Sequence, residues 1–270
     1  MFEKYPEFID TDPRLQRSNE KSYKITTDFT VKRYSAFFDH IDLNGKTVLD
    51  IGSCVSSLGA WVLDRGADFY QAIEFSSNLS QSAHNNLTKY FSNDKWNVFK
   101  GYAEDYFLNG SQEHFDYVVA SGIIYAYLNP SELIDECVSR SNNIIIESRN
   151  PVKRWVEEHA QVPLTLKHTR LLERQPMVLA YEDSKMCYSE GGNYSYTGTC
   201  PTQGYVDYYF DACGYSEDGV VHQKLQKFIP EIYNIDKRFG KMYVKTHQPK
   251  GAGFKQSIEK DNVKVTEFLK

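Results

Sequence analysis

No run of apolar residues approaches the roughly 20 needed to span a bilayer, so no transmembrane segment is expected in the 270-residue chain. Five cysteines, at 54, 137, 187, 200 and 213, include no C-x-x-C pair. Neither a disulfide framework nor a structural zinc site is therefore signalled, and reduced, mostly buried thiols are expected. An excess of basic residues is also missing. The net charge of −5 argues against nucleic acid as the main partner, because such binding is driven largely by phosphate neutralisation. The start, Met1 to Glu7, lacks a signal peptide's basic start and apolar stretch, so a cytoplasmic location is the expectation. No internal repeat or low-complexity tract is found. What is present, 41% hydrophobic and 25% charged residues, is ordinary for a globular protein long enough for one domain, or one domain plus an insertion.

Apolar runs alternate with helical segments along the first 150 residues. Strands are expected at about 46–52, 69–75, 96–101, 115–121 and 142–148, with helices at about 57–66, 77–91 and 130–140. That order predicts a parallel sheet with helices on both faces. The segment from Thr47 to Gly59 reads as strand, tight turn and helix, and Glu74 ends the second strand, 24 residues after Asp50. Small residues in the turn allow a ligand to approach the backbone, and the helix N-terminus beyond offers unpaired N–H groups.

A dinucleotide site requires G-x-G-x-x-G, so that the pyrophosphate rests on the helix N-terminus. Only Gly52 is present, with Cys54 and Ser57 at the other two positions. Asp50 adds negative charge beside the turn, which suits a zwitterionic amino-acid tail better than a pyrophosphate. A nicotinamide-dependent oxidoreductase therefore ranks last among the readings.

These residues resemble the first motif of the class I S-adenosylmethionine-dependent methyltransferases, hydrophobic-hydrophobic-Asp-x-Gly-x-Gly-x-Gly. Asp50 and Gly52 match it, and Cys54 and Ser56 replace the later glycines. Further landmarks follow in order over about residues 45 to 248. The resemblance implies an α/β fold with a Rossmann-like seven-stranded, mostly parallel sheet, an antiparallel last strand and helices on both faces. It places the closing pair of strands near Val220–Phe228 and Lys241–Thr246, with Arg238 to Lys245 fitting the last one. Gln203 to Cys213 reads as a helix ended by a glycine cap at Gly214.

Outside that core, residues 1–44 include a helix over Thr26 to His40 with Phe29, Tyr34, Phe37, Phe38 and Ile41 on one face. It is expected to cover the sheet, and by resemblance to lie as a lid that contributes Tyr23 or Tyr34. Residues 150–202 are too long for a simple strand-to-helix link and are read as an inserted cap after strand five. The core is thus 45–149 and 203–248, with 249–270 as a polar tail. Ligands collect at the strand ends on one edge of such a sheet, so the cap would roof the site.

By resemblance, Asp50, Gly52, Ser53, Cys54 and Ser56 would hold the methionine part of S-adenosylmethionine. Glu74 would accept from both ribose hydroxyls, since an ionised carboxylate has two acceptor oxygens. Phe75, Ala103 and Glu104 would lie near the adenine; Tyr102 stands where the family usually has an acid. Ser121 and Gly122, ending strand four, would border the sulfonium. Candidate acceptor contacts are Tyr127, Arg149, Tyr194 and Tyr196. Glu147, Tyr125 and His159 are the candidate catalytic groups, with His168 and His222 also considered as bases. Methyl transfer depends chiefly on alignment and desolvation, so a base is needed only where the acceptor must lose a proton. Glu147 and Arg149 could equally form an ion pair that anchors the cap.

The expected activity is methyl transfer from S-adenosylmethionine to an oxygen or nitrogen of a small-molecule acceptor, leaving S-adenosylhomocysteine, with no metal. The alternatives are a tRNA or other RNA methyltransferase, which would need a continuous basic track, and a non-catalytic binding protein that keeps the fold.

Overall fold

A computed structural model describes residues 1–13, 26–109, 113–127, 129–152, 166–183, 196–233 and 237–249. Two short approaches, α1 (Glu7–Asp10) and α2 (Thr27–Phe38), precede the sheet. Then come β1 (Thr47–Ile51), α3 (Ser57–Leu63), β2 (Phe69–Glu74), α4 (Ser77–Tyr90), β3 (Trp96–Lys100), α5 (Ala103–Asn109) and β4 (Tyr117–Ser121). A 3₁₀ turn (Ile124–Ala126) leads to α6 (Pro130–Arg140) and β5 (Asn143–Arg149). After β5 lie α7 (Leu166–Glu173) and a hairpin of β6 (Val178–Asp183) and β7 (Tyr196–Pro201). The chain then returns through α8 (Gln203–Ala212), β8 (Tyr215–Glu217), α9 (Val220–Phe228) and β9 (Arg238–Lys245).

The main sheet has seven strands in the order β3-β2-β1-β4-β5-β9-β8. β1 to β5 pair in parallel, and β9 runs antiparallel to both its neighbours, β5 and β8. The period-2 alternation of the strands divides the core between the two faces. Val48, Tyr70, Val119 and Ile145 pack with α2, α3 and α9, including Phe37, Trp61 and Leu225. Leu49, Ile51, Val118, Ala120, Ile144 and Ile146 pack with α5, α6 and α8, including Tyr106, Leu133 and Phe210.

Local signals set the helix starts. Thr26 caps α2 by accepting from Phe29 N at 3.1 Å, Ser76 caps α4, and Asn129 caps α6 ahead of Pro130 at its first position, each filling an orphan N–H at a helix N-terminus. Thr202 caps α8 in the same way, and Gly214 at φ +92° follows its end, as the glycine signal predicted.

One expected element is corrected. Val220–Phe228 is helix α9, and the sixth strand of the fold is the three-residue β8 before it. The adjacent valines read as β-branched strand residues, but Val221 and Leu225, four apart, are the positions buried on β9 and α2, which is a helical spacing. β8 is too short to show alternation.

Among the described residues no helix is long and apolar enough to cross a membrane. Cys54, Cys137, Cys200 and Cys213 are free thiols. Of the inserted stretch, the described hairpin touches the core directly: Thr199 Oγ1 donates to the Tyr127 carbonyl at 2.6 Å, and Cys200 Sγ lies 3.8 Å from the Arg149 carbonyl.

Candidate cofactor and acceptor site

The turn after β1 has three residues in the left-handed region: Gly52 (φ +77°), Cys54 (φ +55°) and Ser56 (φ +59°). Gly52 meets this demand at no steric cost, whereas Cys54 and Ser56 adopt a conformation unfavourable for residues with a Cβ. Contacts hold them there. Gly52 N and Ser53 N both donate to the Ile73 carbonyl, at 2.9 and 3.0 Å. Cys54 N donates to Glu74 Oε2 at 2.8 Å. The other Glu74 oxygen accepts from Ser76 N at 2.9 Å, so this buried acid ties the turn to the start of α4.

Asp50 lies on the α2 face of β1 and is buried, accepting from Tyr70 OH at 2.7 Å. Burial and the Asp50 charge hold the Tyr70 phenol well above its usual pKa, so it stays a donor. Asp50, Gly52, Ser53 and Ser121 line a cavity that α2 closes with Arg33, Tyr34 and Phe37, and Leu58 completes it. Its volume is about 20 Å³, room for a single water. Ser53 is 6% exposed and its Oγ has no hydrogen-bond partner among the described residues, an unusual state for a buried hydroxyl. Cys54 faces the other way, with Sγ 4.0 Å from Asp12 Oδ1. Ser56 is fully buried at the N-cap of α3.

Tyr34, expected in a lid, does reach this cavity, and its hydroxyl is 2.7 Å from Ser57 Oγ. Tyr23 lies outside the described residues. Arg33 has no signal in the sequence, where it stands as the seventh residue of a helix with an apolar face.

Glu147 is fully buried beneath the same edge. Arg238 Nε lies 2.7 Å from its Oε1, and Arg33 Nη1 lies 3.5 Å from its Oε2. Tyr233 OH donates to Oε1 at 2.9 Å, and Ser121 Oγ donates to Oε2. Burial alone would raise the Glu147 pKa, but the charges of Arg238 and Arg33 and the two hydroxyl donors bring it below the usual carboxylate value. Glu147 thus joins β5 to α2, β4 and β9.

Farther along the edge, Gly122 adopts φ +76° and its N–H donates to the Glu147 carbonyl at 2.9 Å. The Arg149 guanidinium sits 4.5 Å from the centre of the buried Tyr125 ring. Tyr127 is buried among Ala103, Tyr106, Leu133 and Cys137 on the opposite face of the sheet. Burial, then the charge of Glu104, raises its phenol pKa. Phe75 and Tyr102, 44% and 64% exposed, stack on one another at 5.9 Å at the ends of β2 and β3. Ala103 is buried at the start of α5, and Glu104 next to it is exposed.

The remaining expected residues fall elsewhere. His222 lies on α9 near Lys241 in the middle of β9, where burial and then the Lys241 charge lower its pKa. His159 and Tyr194 lie outside the described residues. The backbones of His168 and Tyr196 belong to α7 and β7.

The strand order, the antiparallel β9 and the acid-bearing turns on one sheet edge define a class I, Rossmann-like methyltransferase fold. Solved structures support this class. One is a Listeria monocytogenes protein assigned as an S-adenosylmethionine-dependent methyltransferase, with 11% identity, TM-score 0.54, 81% of this chain and 100% of that one covered. Magnesium protoporphyrin IX methyltransferase (ChlM) from Synechocystis PCC 6803 with bound SAH gives 14%, 0.51, 90% and 98%. The N-terminal domain of EvdMO1, in the presence of SAH and D-fucose, gives 10%, 0.54, 91% and 96%. No family model and no curated protein matches the sequence. The likeness lies in the fold.

Proposed function

We propose that the chain is an S-adenosylmethionine-dependent methyltransferase acting on an oxygen or nitrogen of a small-molecule acceptor. The observation that carries this reading is the buried Ser53 hydroxyl, unpartnered among the described residues, facing a cavity with Asp50, Gly52 and Ser121. That donor set suits an amino-acid tail: Asp50 attracts an ammonium, while Ser53 and the Arg33 guanidinium suit a carboxylate. When bound, the cofactor supplies an electrophilic methyl group on a positively charged sulfur.

The protein's part is placement. Glu74, fixed at the end of β2 by two backbone N–H groups, is the carboxylate that would accept from a ribose diol. The exposed Phe75–Tyr102 pair offers a stacking platform for the base, beside Ala103 and Glu104. Ser121 and Gly122 border the reacting end, and Tyr125 and Arg149 form its surroundings, whereas Tyr127 packs in the core on the opposite face of the sheet. Both Glu147 oxygens are engaged, which favours anchoring α2, β4 and β9 over proton abstraction. Residues 1–44 serve as cover, 45–149 and 203–248 as core, and 150–202 as the cap that selects the acceptor, with Tyr194 and Tyr196 as its contacts and His159 as a catalytic candidate. Arg33, Tyr34 and Phe37 of α2 line the cavity, so α2 is the element that would cover a ligand bound there.

The test is calorimetric titration of the full chain with S-adenosylmethionine, S-adenosylhomocysteine and NAD, beside Ser53→Ala. Saturable binding of the two sulfur ligands but not NAD, weakened severalfold by the substitution, is expected. A folded protein that binds neither overturns the reading.

A further inference from the structure

α9 is a support on which α2 rests. Val221 and Leu225 of α9 pack in the same core as Phe29 and Phe37 of α2. Beyond α9 the chain brings Tyr233 back to stack on Phe29 at 6.3 Å and to donate to Glu147 Oε1 at 2.9 Å. The helix sits tightly on β9: a Cβ added at Gly240 would come within 2.4 Å of Leu225 Cδ1 and 3.5 Å of Glu147 Cγ. Whatever unseats α9 thus reaches both α2, which lines the cavity, and the Glu147 cluster.

His222 is the third residue of α9. Its Nδ1 is buried with no hydrogen-bond partner among the described residues, and the ring bonds to the Gly240 backbone through its other nitrogen. A second proton must therefore enter at Nδ1, where it would create a buried N–H without an acceptor. Two charges oppose it as well. The first turn of a helix carries the positive end of the helix dipole, and the buried Lys241 of β9 stands near the ring. Glu217 of β8 and Asp207 of α8 pull the other way, but each is paired with Lys241, at 2.7 and 2.8 Å. Burial and Lys241 prevail, so His222 holds a proton less well than an ordinary imidazole. A second histidine, His40 just past α2, differs in having an acid, Asp218, 3.5 Å from its Nε2, with Asp39 and Lys224 also near.

We propose that His222 is an acid-sensitive latch: when its imidazole takes up a proton, α9 loses its seat on β9 and α2 loosens over the cavity. The neutral ring keeps the latch shut. Protection is complete above the ordinary histidine value of about 6.5 and is lost as pH falls through the lowered folded value. The latch acts on the cover of the cavity whatever occupies it.

The test is amide exchange of the full chain at about pH 7.5 and about pH 5, either side of the ordinary histidine value, each rate divided by that of an unstructured peptide at the same pH. Protection of residues 220–228 and 29–37 should fall at least about fivefold at the lower pH, within the roughly tenfold that one displaced pKa unit allows, while that of β1 and β4 stays within about twofold. His222→Gln should remove the fall, and His40→Gln should leave it. In the native chain the His222 imidazole, followed by NMR, should titrate below about 6.5 and in step with the loss of protection, a readout that stands even where His222→Gln does not fold. Constant protection, an equal fall in β1 and β4, or a His222 that titrates at or above the ordinary value overturns the latch. So does a fall that survives His222→Gln or is removed by His40→Gln.

Discussion

Cys54 N–H donates to Glu74 Oε2 at 2.8 Å, so the residue standing where a glycine is usual is fastened to the acid at the end of the next strand. The same carboxylate accepts from Ser76 N. Glu74→Ala would strand two buried donors, at about 1–3 kcal/mol each in unsatisfied hydrogen bonding. We expect a clear fall in the urea midpoint and at least a tenfold loss of S-adenosylhomocysteine affinity. Unchanged affinity in a folded variant would remove Glu74 from the site.

Gly59 on α3 packs against the Tyr70 ring so closely that an added Cβ would come within 2.4 Å of Cε1. Overpacking of this kind costs about 1–3 kcal/mol. Because the ring carries the hydroxyl that bonds Asp50, Gly59→Ala and Tyr70→Phe should be non-additive in chemical denaturation. Strict additivity would show that the ring keeps its place.

Glu147 supplies the pH dependence. Its folded pKa is depressed, so its stabilising effect is fully present above the unfolded carboxyl value of about 4.3 and is lost as pH falls through the lowered folded value. Glu147→Gln leaves Arg33 and Arg238 beside a neutral group, and should cost about 3–5 kcal/mol at pH 7. The gap between native protein and variant should narrow below pH about 4. Denaturation series at pH 7 and pH 3 check both statements.

Because Arg33, Tyr34 and Phe37 line the cavity, α2 is the element expected to respond to ligand. Amide exchange across residues 29–37 should change on addition of S-adenosylhomocysteine, while that of β1 and β4 in the sheet centre stays slow. Identical exchange in α2 with and without bound ligand would show another route of entry.

Much of this arrangement was legible in the chain because its signals are local. The strand–turn–helix around Gly52, Glu74 at the end of β2 and the glycine stop at Gly214 each depend on a few consecutive residues. The alternation of strands with helices from β1 to β5 also implied a parallel sheet with helices on both faces. α9 was misread because paired valines favour a strand when no neighbour is known, and β8 offered only three residues. The partners of Glu147 were hidden for a different reason. Arg33 lies 114 residues away in sequence, and Arg238 comes from a strand that reverses direction.

The sequence by itself determined the order of β1 to β5 and the residue types gathered at one sheet edge, since hydrophobic period and turn chemistry act over short spans. The tertiary structure decided which charges meet there. That Arg33 and Arg238 converge on Glu147, and that Arg149 lies over Tyr125, follows from the packing of α2 and β9 on β5, contacts between distant segments that no local pattern encodes.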